Sequence, residues 1–190
     1  MTMKSNLHLL LQSRLWKRLD EPFLEHCRLF RVQEGRLLAG SIVGRLGSEP
    51  VSCTYLIRTC PDWLTREVSV ELAYGGEEAR LHLEADGRGN WTMDGRELPE
   101  LQGCLDIDIE LTPATNTLPI RRLGLRKGQE AETTAAWVRF PSLAVQPLKQ
   151  SYRCLEEESR YRYRSASFEA ELDVGGEGMI HRYGDLWVSL

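Results

Sequence analysis

The chain has 190 residues, 42% of them apolar and 27% charged, enough to bury one core and too few for two large domains. Lys and Arg number 24 against 28 Asp and Glu, a net charge of −4 with no basic block, which argues against a nucleic-acid partner. The leucine run Leu9 to Leu11 is bounded by His8 and Gln12, too short for a membrane span or an export signal, so the expected compartment is the cytoplasm.

Five cysteines (Cys27, Cys53, Cys60, Cys104, Cys154) form an odd set without a CxxC pair, the usage of reduced thiols rather than of a disulfide framework. At the start of the chain, Ser5 precedes Leu7, Leu11 and Leu15, spaced by four. That is the pattern of a short N-terminal helix over residues 5–15. Residues 1–15 then read as an extension and 16–190 as a single domain.

From Trp16 to Leu29 the chain reads as extended. The 16 glycines and 8 prolines are spread along the sequence, and apolar and polar residues alternate between them, as in an all-β protein. Strands are predicted near 24–34, 36–47 and 51–59. The clearest hairpin joins Arg66 to Tyr74 and Glu77 to Ala85 through Gly75-Gly76. A two-residue turn there pairs Val68 with Leu83, Val70 with Leu81 and Leu72 with Ala79 on one face, Glu71 with Arg80 on the other, and Glu67 with Glu84 near the ends. Asp86-Gly87 and Asp94-Gly95 are further turn signals. Beyond them, strands are expected near 104–112, 132–140, 143–149 and 185–190. A phase change after Ser165 predicts a second hairpin, with a turn at Ser165-Ala166 opposing Tyr163 to Phe168, Tyr161 to Ala170, Arg162 to Glu169 and Arg160 to Glu171.

Catalytic signatures are missing. Gly40-Ser41-Ile42-Val43-Gly44 has its serine one place early for a nucleophile elbow, and His8, His26, His82 and His181 are scattered without metal-ligand spacing. Gly87-Arg88-Gly89 and Gly176-Glu177-Gly178 lack the third glycine of a dinucleotide fingerprint. No catalytic residue, metal ligand or cofactor is assigned.

One stretch stands apart, Gly103-Cys104-Leu105-Asp106-Ile107-Asp108-Ile109-Glu110-Leu111-Thr112, running into Pro113-Ala114-Thr115-Asn116-Thr117-Leu118-Pro119-Ile120-Arg121-Arg122-Leu123. As a strand it places four aliphatic residues on one face and three carboxylates on the other, about 6.6 Å apart. That spacing suits an acid/base pair, a shared metal ion or plain solvent exposure. If residues 120–125 are extended, Arg121 and Arg122 point to opposite faces. One of them leaves water and needs a carboxylate, of which Asp106 and Asp108 are nearest along the chain. The pair is then either a structural staple or, through the spare arginine, a reader of an anionic or polar head group. Arg121, sharing a face with Leu123 and Leu125, is the expected reader.

These residues resemble the motif of the putative glycolipid-binding family of small bacterial domains. The similarity also takes in Tyr55, Asp62-Trp63 with Thr65-Arg66, Gly89-Asn90-Trp91 with Asp94-Gly95, Gln150-Ser151-Tyr152, and Gly178 to Tyr183, over residues 16–190. Ala114 stands where the family often has Phe. The resemblance implies a curved antiparallel β-sheet forming a barrel or half-barrel around an apolar space, and non-enzymatic binding of an amphipathic small molecule or lipid. The candidate ligand-binding residues are Asp106, Asp108, Asn116, Arg121, Arg122, Trp63 and Arg66. Two alternatives stay open: a hydrolase using the carboxylates on a sugar or ester, and a ligand-free regulatory or scaffold domain.

Overall fold

A computed structural model describes residues 8–166 and 168–190. In chain order its elements are β1 (Leu9–Arg18), β2 (Leu24–Val32), β3 (Gly35–Leu46), β4 (Glu49–Thr59), β5 (Thr65–Tyr74), β6 (Glu77–Ala85), β7 (Trp91–Met93), β8 (Arg96–Glu97), β9 (Asp106–Ile109), α1 (Thr117–Leu123), β10 (Glu130–Val138), β11 (Val145–Glu156), β12 (Arg160–Ser165), β13 (Phe168–Val174), β14 (Ile180–Tyr183) and β15 (Trp187–Ser189). All fifteen strands belong to one sheet, ordered from β8 back to β1, across to β15, and back again to β9. The all-β expectation holds. Neighbours are antiparallel except β9 and β10, which run parallel because α1 lies in the crossover between them.

The sheet curls without closing, since β8 and β9 remain its two ends. Loops bring those ends together. The Gly103 N–H donates to the Gly89 carbonyl at 2.9 Å, the Thr65 N–H to the Leu105 carbonyl at 3.4 Å, and the Trp91 indole Nε1 to the Cys104 carbonyl at 2.8 Å. A Cβ on Gly89 would sit 2.7 Å from the Cα of Gly103, so the approach requires glycine there.

The Gly75-Gly76 hairpin has the predicted register, including Glu67 opposite Glu84, and both glycines have positive φ. The second hairpin is shifted by two residues. Tyr163 faces Ala170, Tyr161 faces Leu172, Arg162 faces Glu171 and Arg160 faces Asp173, while Ser165 pairs with Phe168. The shift keeps every side chain on its predicted face, and it lines up a third ion pair, Arg164 with Glu169, beside those of Arg162 and Arg160. Ala166, not Ser165, carries the turn, with a φ of 46°.

The expected N-terminal helix is corrected over residues 9–15, which lie in β1; residues 5–7 fall outside the described residues. Cross-strand pairing decides the conformation. β1 serves as partner to β2 along its length and to β15 at Trp16, Lys17 and Arg18. Trp16 is buried, its indole N–H donating to the Ile180 carbonyl at 2.9 Å.

Residues 120–125 are not extended either, because α1 runs from Thr117 to Leu123. Pro119 lies in its first turn, where no N–H is needed, and Gly124, with a φ of 54°, terminates it as a left-handed cap. Leu111, Ala114, Leu118 and Ile120 join the single hydrophobic core, so the segment 111–120 plugs the curled sheet. Four of the five cysteines are buried and all five are free thiols.

Candidate functional site

The Asp/Arg cluster forms, but with Arg122 as the partner of Asp106. Asp106 is 0% exposed on β9 and receives Arg122 Nε at 3.0 Å and Nη2 at 2.5 Å. Thr133 Oγ1, one strand over on β10, donates to Asp106 at 3.2 Å and accepts from Arg122 at 2.8 Å. A bidentate guanidinium on a fully desolvated carboxylate fastens the C-terminal turn of α1 to the sheet.

Asp108, two residues on, has no cation within ion-pair distance among the described residues. Gln150 Nε2 donates to it at 2.5 Å and Thr115 Oγ1 at 3.4 Å. Burial pushes its pKa up to about 6, against the pull of those hydrogen bonds. Gln150 Nε2 also lies 3.1 Å from the Tyr163 hydroxyl, and the Tyr152 hydroxyl donates to Asn116 Oδ1 at 2.9 Å. Asn116 therefore holds the plug against β11 rather than facing open space. Tyr163 is the hub of an aromatic group, with ring centroids 5.2 Å from Tyr152, 5.9 Å from Tyr183 and 6.1 Å from Phe168. Phe168, at the outer end of this group, is 38% exposed. A cleft of about 300 Å³ has Glu132, Thr133, Lys149, Gln150, Arg164 and Ser165 among its walls, and Ser165 pairs with Phe168 across the hairpin.

Glu110, the third carboxylate of the predicted row, accepts from the Phe140 N–H at 2.7 Å and pairs with Arg139. The three are thus separated. Among the described residues, no group of three or more His, Cys, Asp or Glu side chains is placed to hold a metal ion.

Three predicted residues, Arg66, Trp63 and Arg121, lie elsewhere. Arg66 donates to the Asp86 carbonyl oxygen at the Asp86-Gly87 turn. Trp63 is buried with a φ of 67°, in the left-handed region that bulky residues rarely adopt, and Arg121 and Arg36 lie 5.6 Å and 5.3 Å from its ring centroid. Arg121 is therefore the spare arginine, but it faces Trp63 and not the Asp108 cluster.

A further polar centre has no counterpart in the predicted site. Glu25 on β2 is fully buried, and its Oε1 accepts from the Tyr55 hydroxyl at 2.6 Å and from Thr112 Oγ1 at 2.7 Å, while Oε2 has no partner among the described residues. Burial raises its pKa to about 8, so the carboxyl is neutral at pH 7. Tyr55 reaches it across Gly40, where a Cβ would come within 2.1 Å of the tyrosine ring. The signal was available in the sequence, since Glu25 alternates in phase with Cys27 and Leu29.

The comparisons with known proteins agree with this architecture. The family model "Putative glycolipid-binding" matches residues 13–189. A crystal structure of a DUF1089 family protein from Pseudomonas aeruginosa superposes with a TM-score of 0.82 at 35% identity, covering 91% of this chain and 95% of the other. No curated protein matches the chain. Among the described residues, no helix is long and apolar enough to cross a membrane. With the family model matching residues 13–189 and the crystal structure superposing over 91% of the chain, the chain belongs to the putative glycolipid-binding family.

Proposed function

We propose that this domain binds a glycolipid or comparable amphipathic molecule without transforming it. The sugar or other hydroxyl-rich head lies in the cleft beside Gln150, and the apolar portion lies against Phe168 and Tyr183. The observation that carries this reading is the composition of that cleft. Thr133 and Gln150 line it, each already oriented by a carboxylate, Asp106 or Asp108, and the buried Gln150 amide also reaches the hydroxyl of Tyr163, the centre of the aromatic group. A few positioned hydrogen-bonding groups beside aromatic faces are what recognition of a small polar ring requires.

The hydrolase alternative needs two carboxyl groups on one bond. Asp106 is fully buried and committed to Arg122, which leaves Asp108 without a second carboxyl and favours binding. Five free thiols support a reducing, cytoplasmic setting in a bacterium.

The test is a calorimetric and NMR titration with octyl glucoside. The expected result is saturable binding that moves the Gln150 side-chain amide resonance, weakened about tenfold in Gln150→Leu by loss of hydrogen bonding. Binding unchanged in that variant, or release of glucose, would overturn the reading.

A further inference from the structure

Arg14, Arg36 and Arg121 come from β1, β3 and α1, far apart in sequence, and converge around two features. The first is Trp63, which Arg36 and Arg121 share. The second is the turn Gly175–Gly178, closed by the Gly178 N–H donating to the Gly175 carbonyl at 3.0 Å. A Cβ on Gly178 would meet Arg121 Cδ at 2.7 Å, and one on Gly175 would meet His181 Nε2 at 2.1 Å and Arg14 Nη2 at 3.2 Å. The turn is thus bare of side chains where the two arginines lie against it.

Among the described residues, none of the three has a carboxylate within 4.0 Å; every ion pair involves other arginines. The Arg121 side chain makes no hydrogen bond among the described residues. Arg14 meets His181 Nε2 at 3.2 Å and the Gln12 amide, which, turned with its oxygen toward Arg14, would also donate to the Gly176 carbonyl. Arg36 donates to the Gly35 carbonyl at 3.1 Å. The Nε atoms of both Arg14 and Arg36 are buried without an acceptor. Elsewhere in this molecule an arginine that leaves water is matched, as Arg122 is by Asp106. Two partly covered guanidinium groups, Arg14 and Arg36, and the exposed Arg121 beside them are therefore without an anionic partner.

Arg121, though not Arg14, Arg36 or Trp63, also lines a cleft of about 480 Å³ together with the turn Gly175–Gly178, which carries Glu177, and with Glu157 and Glu158. Neither carboxylate is within ion-pair distance of Arg121, and Glu157 accepts instead from the Lys127 N–H at 3.2 Å. The cleft gives a ligand access to the arginine head from solvent.

We propose that Arg14, Arg36 and Arg121, set around Trp63 and the Gly175–Gly178 turn, form a binding site for a phosphate group, distinct from the Asp108 cleft and independent of the glycolipid reading. Guanidinium groups offer planar pairs of donors that match phosphate oxygens, and Trp63 fixes two of them in place through cation–π contact. Whether the phosphate belongs to a lipid head group or to a soluble phosphate ester is a difference of source.

The experiment uses the full chain at constant ionic strength with two probes, inorganic phosphate by calorimetry and phosphatidic acid in phosphatidylcholine vesicles by flotation. Binding to either supports the site, free phosphate pointing to a soluble ester and vesicles alone to a lipid head group. Arg121→Met, an exposed position that leaves the core untouched, is expected to weaken the positive probe about tenfold, and Arg121→Lys by less. Arginine Nε resonances of Arg14 and Arg36 are expected to shift during the wild-type titration, a readout that needs no variant to fold. No binding of either probe by folded wild type, or equal binding by wild type and Arg121→Met, would overturn the proposal, while octyl glucoside binding at Gln150 would be untouched by either outcome.

Discussion

Glu25, on β2, and Asp106, on β9, are both fully buried carboxyl groups, yet the first meets two hydroxyls and no cation while the second meets a bidentate arginine and a hydroxyl. The inner face around Glu25 is apolar, built from Cys27, Leu29, Ile42 and Cys53. There the carboxyl keeps its proton, because ionising it would cost more than two hydroxyl donors return. Around Asp106 a helix delivers the counter-charge. Both solutions fasten the same segment, since Thr112 at the start of the plug bonds Glu25 and Arg122 at its end bonds Asp106. The contrast teaches that a buried carboxyl group can serve as an anchor in either protonation state, and that the local supply of cations decides which.

The strongest way to break the comparison is Arg122→Met, which keeps much of the side-chain stem but leaves Asp106 buried and unpaired. The expected loss of unfolding free energy is about 3–5 kcal/mol, measured by denaturant titration at pH 7; a loss of less than about 1 kcal/mol would show that Thr133 alone satisfies Asp106. On the other side, Gly40→Ala puts a methyl into the Tyr55 ring and displaces the hydroxyl that holds Glu25. The expected cost is about 1–3 kcal/mol, and an unchanged melting temperature would mean that Tyr55 is free to move.

Charge state can be tested directly. The folded pKa of Glu25, about 8, lies above its ordinary value, so the folded state holds a proton that the unfolded chain releases. Its contribution is fully present below the ordinary carboxylate range and is lost as pH rises toward 8. Glu25→Gln, neutral at every pH, is expected to remove this dependence and to gain on the wild type by up to about 1.4 kcal/mol per pH unit between pH 5 and 8. Parallel stability curves for the two proteins would show that Glu25 is ionised in the fold. Asp108, raised to about 6, adds a slope of the same sign at lower pH in both proteins and cancels in the difference. The smallest effect is the control outside both regions. Gly75→Ala, at a φ of 59° in open space, is expected to cost about 1 kcal/mol in a thermal melt through backbone strain alone.

How much of this was readable from sequence follows from where the determining forces lie. The Gly75-Gly76 hairpin was legible to the residue, because its turn chemistry and its alternation point the same way. The second hairpin was legible in its faces but not in its register, since Ser165, Ala166 and Ser167 offer no glycine or asparagine to fix the turn, and the third arginine–carboxylate pair settled it. β1 and α1 were misread for opposite reasons. Leucines spaced by four suggested a helix where cross-strand partners impose a strand, and residues 120–125 were expected to be extended where α1 runs to Leu123. One of the two adjacent arginines does find Asp106, although the extended segment from which that pairing was argued is a helix. Which one did so depended on the helix. The cluster of Arg14, Arg36 and Arg121 was beyond reach, because it joins three segments more than twenty residues apart in sequence around a ring that the sequence does not place.

Strands β1 and β15 meet through Trp16, Lys17 and Arg18 against Ser189, Val188 and Trp187. On one side of that short ladder every pairing is a local meander from β1 to β8; on the other, β10 to β15 is a second one. The ladder alone joins strands from opposite ends of the sequence, and its closure must overcome the entropy of the whole intervening chain. Each meander can therefore assemble at the pace of hairpins, while the union of the two sets the rate at which the native sheet appears.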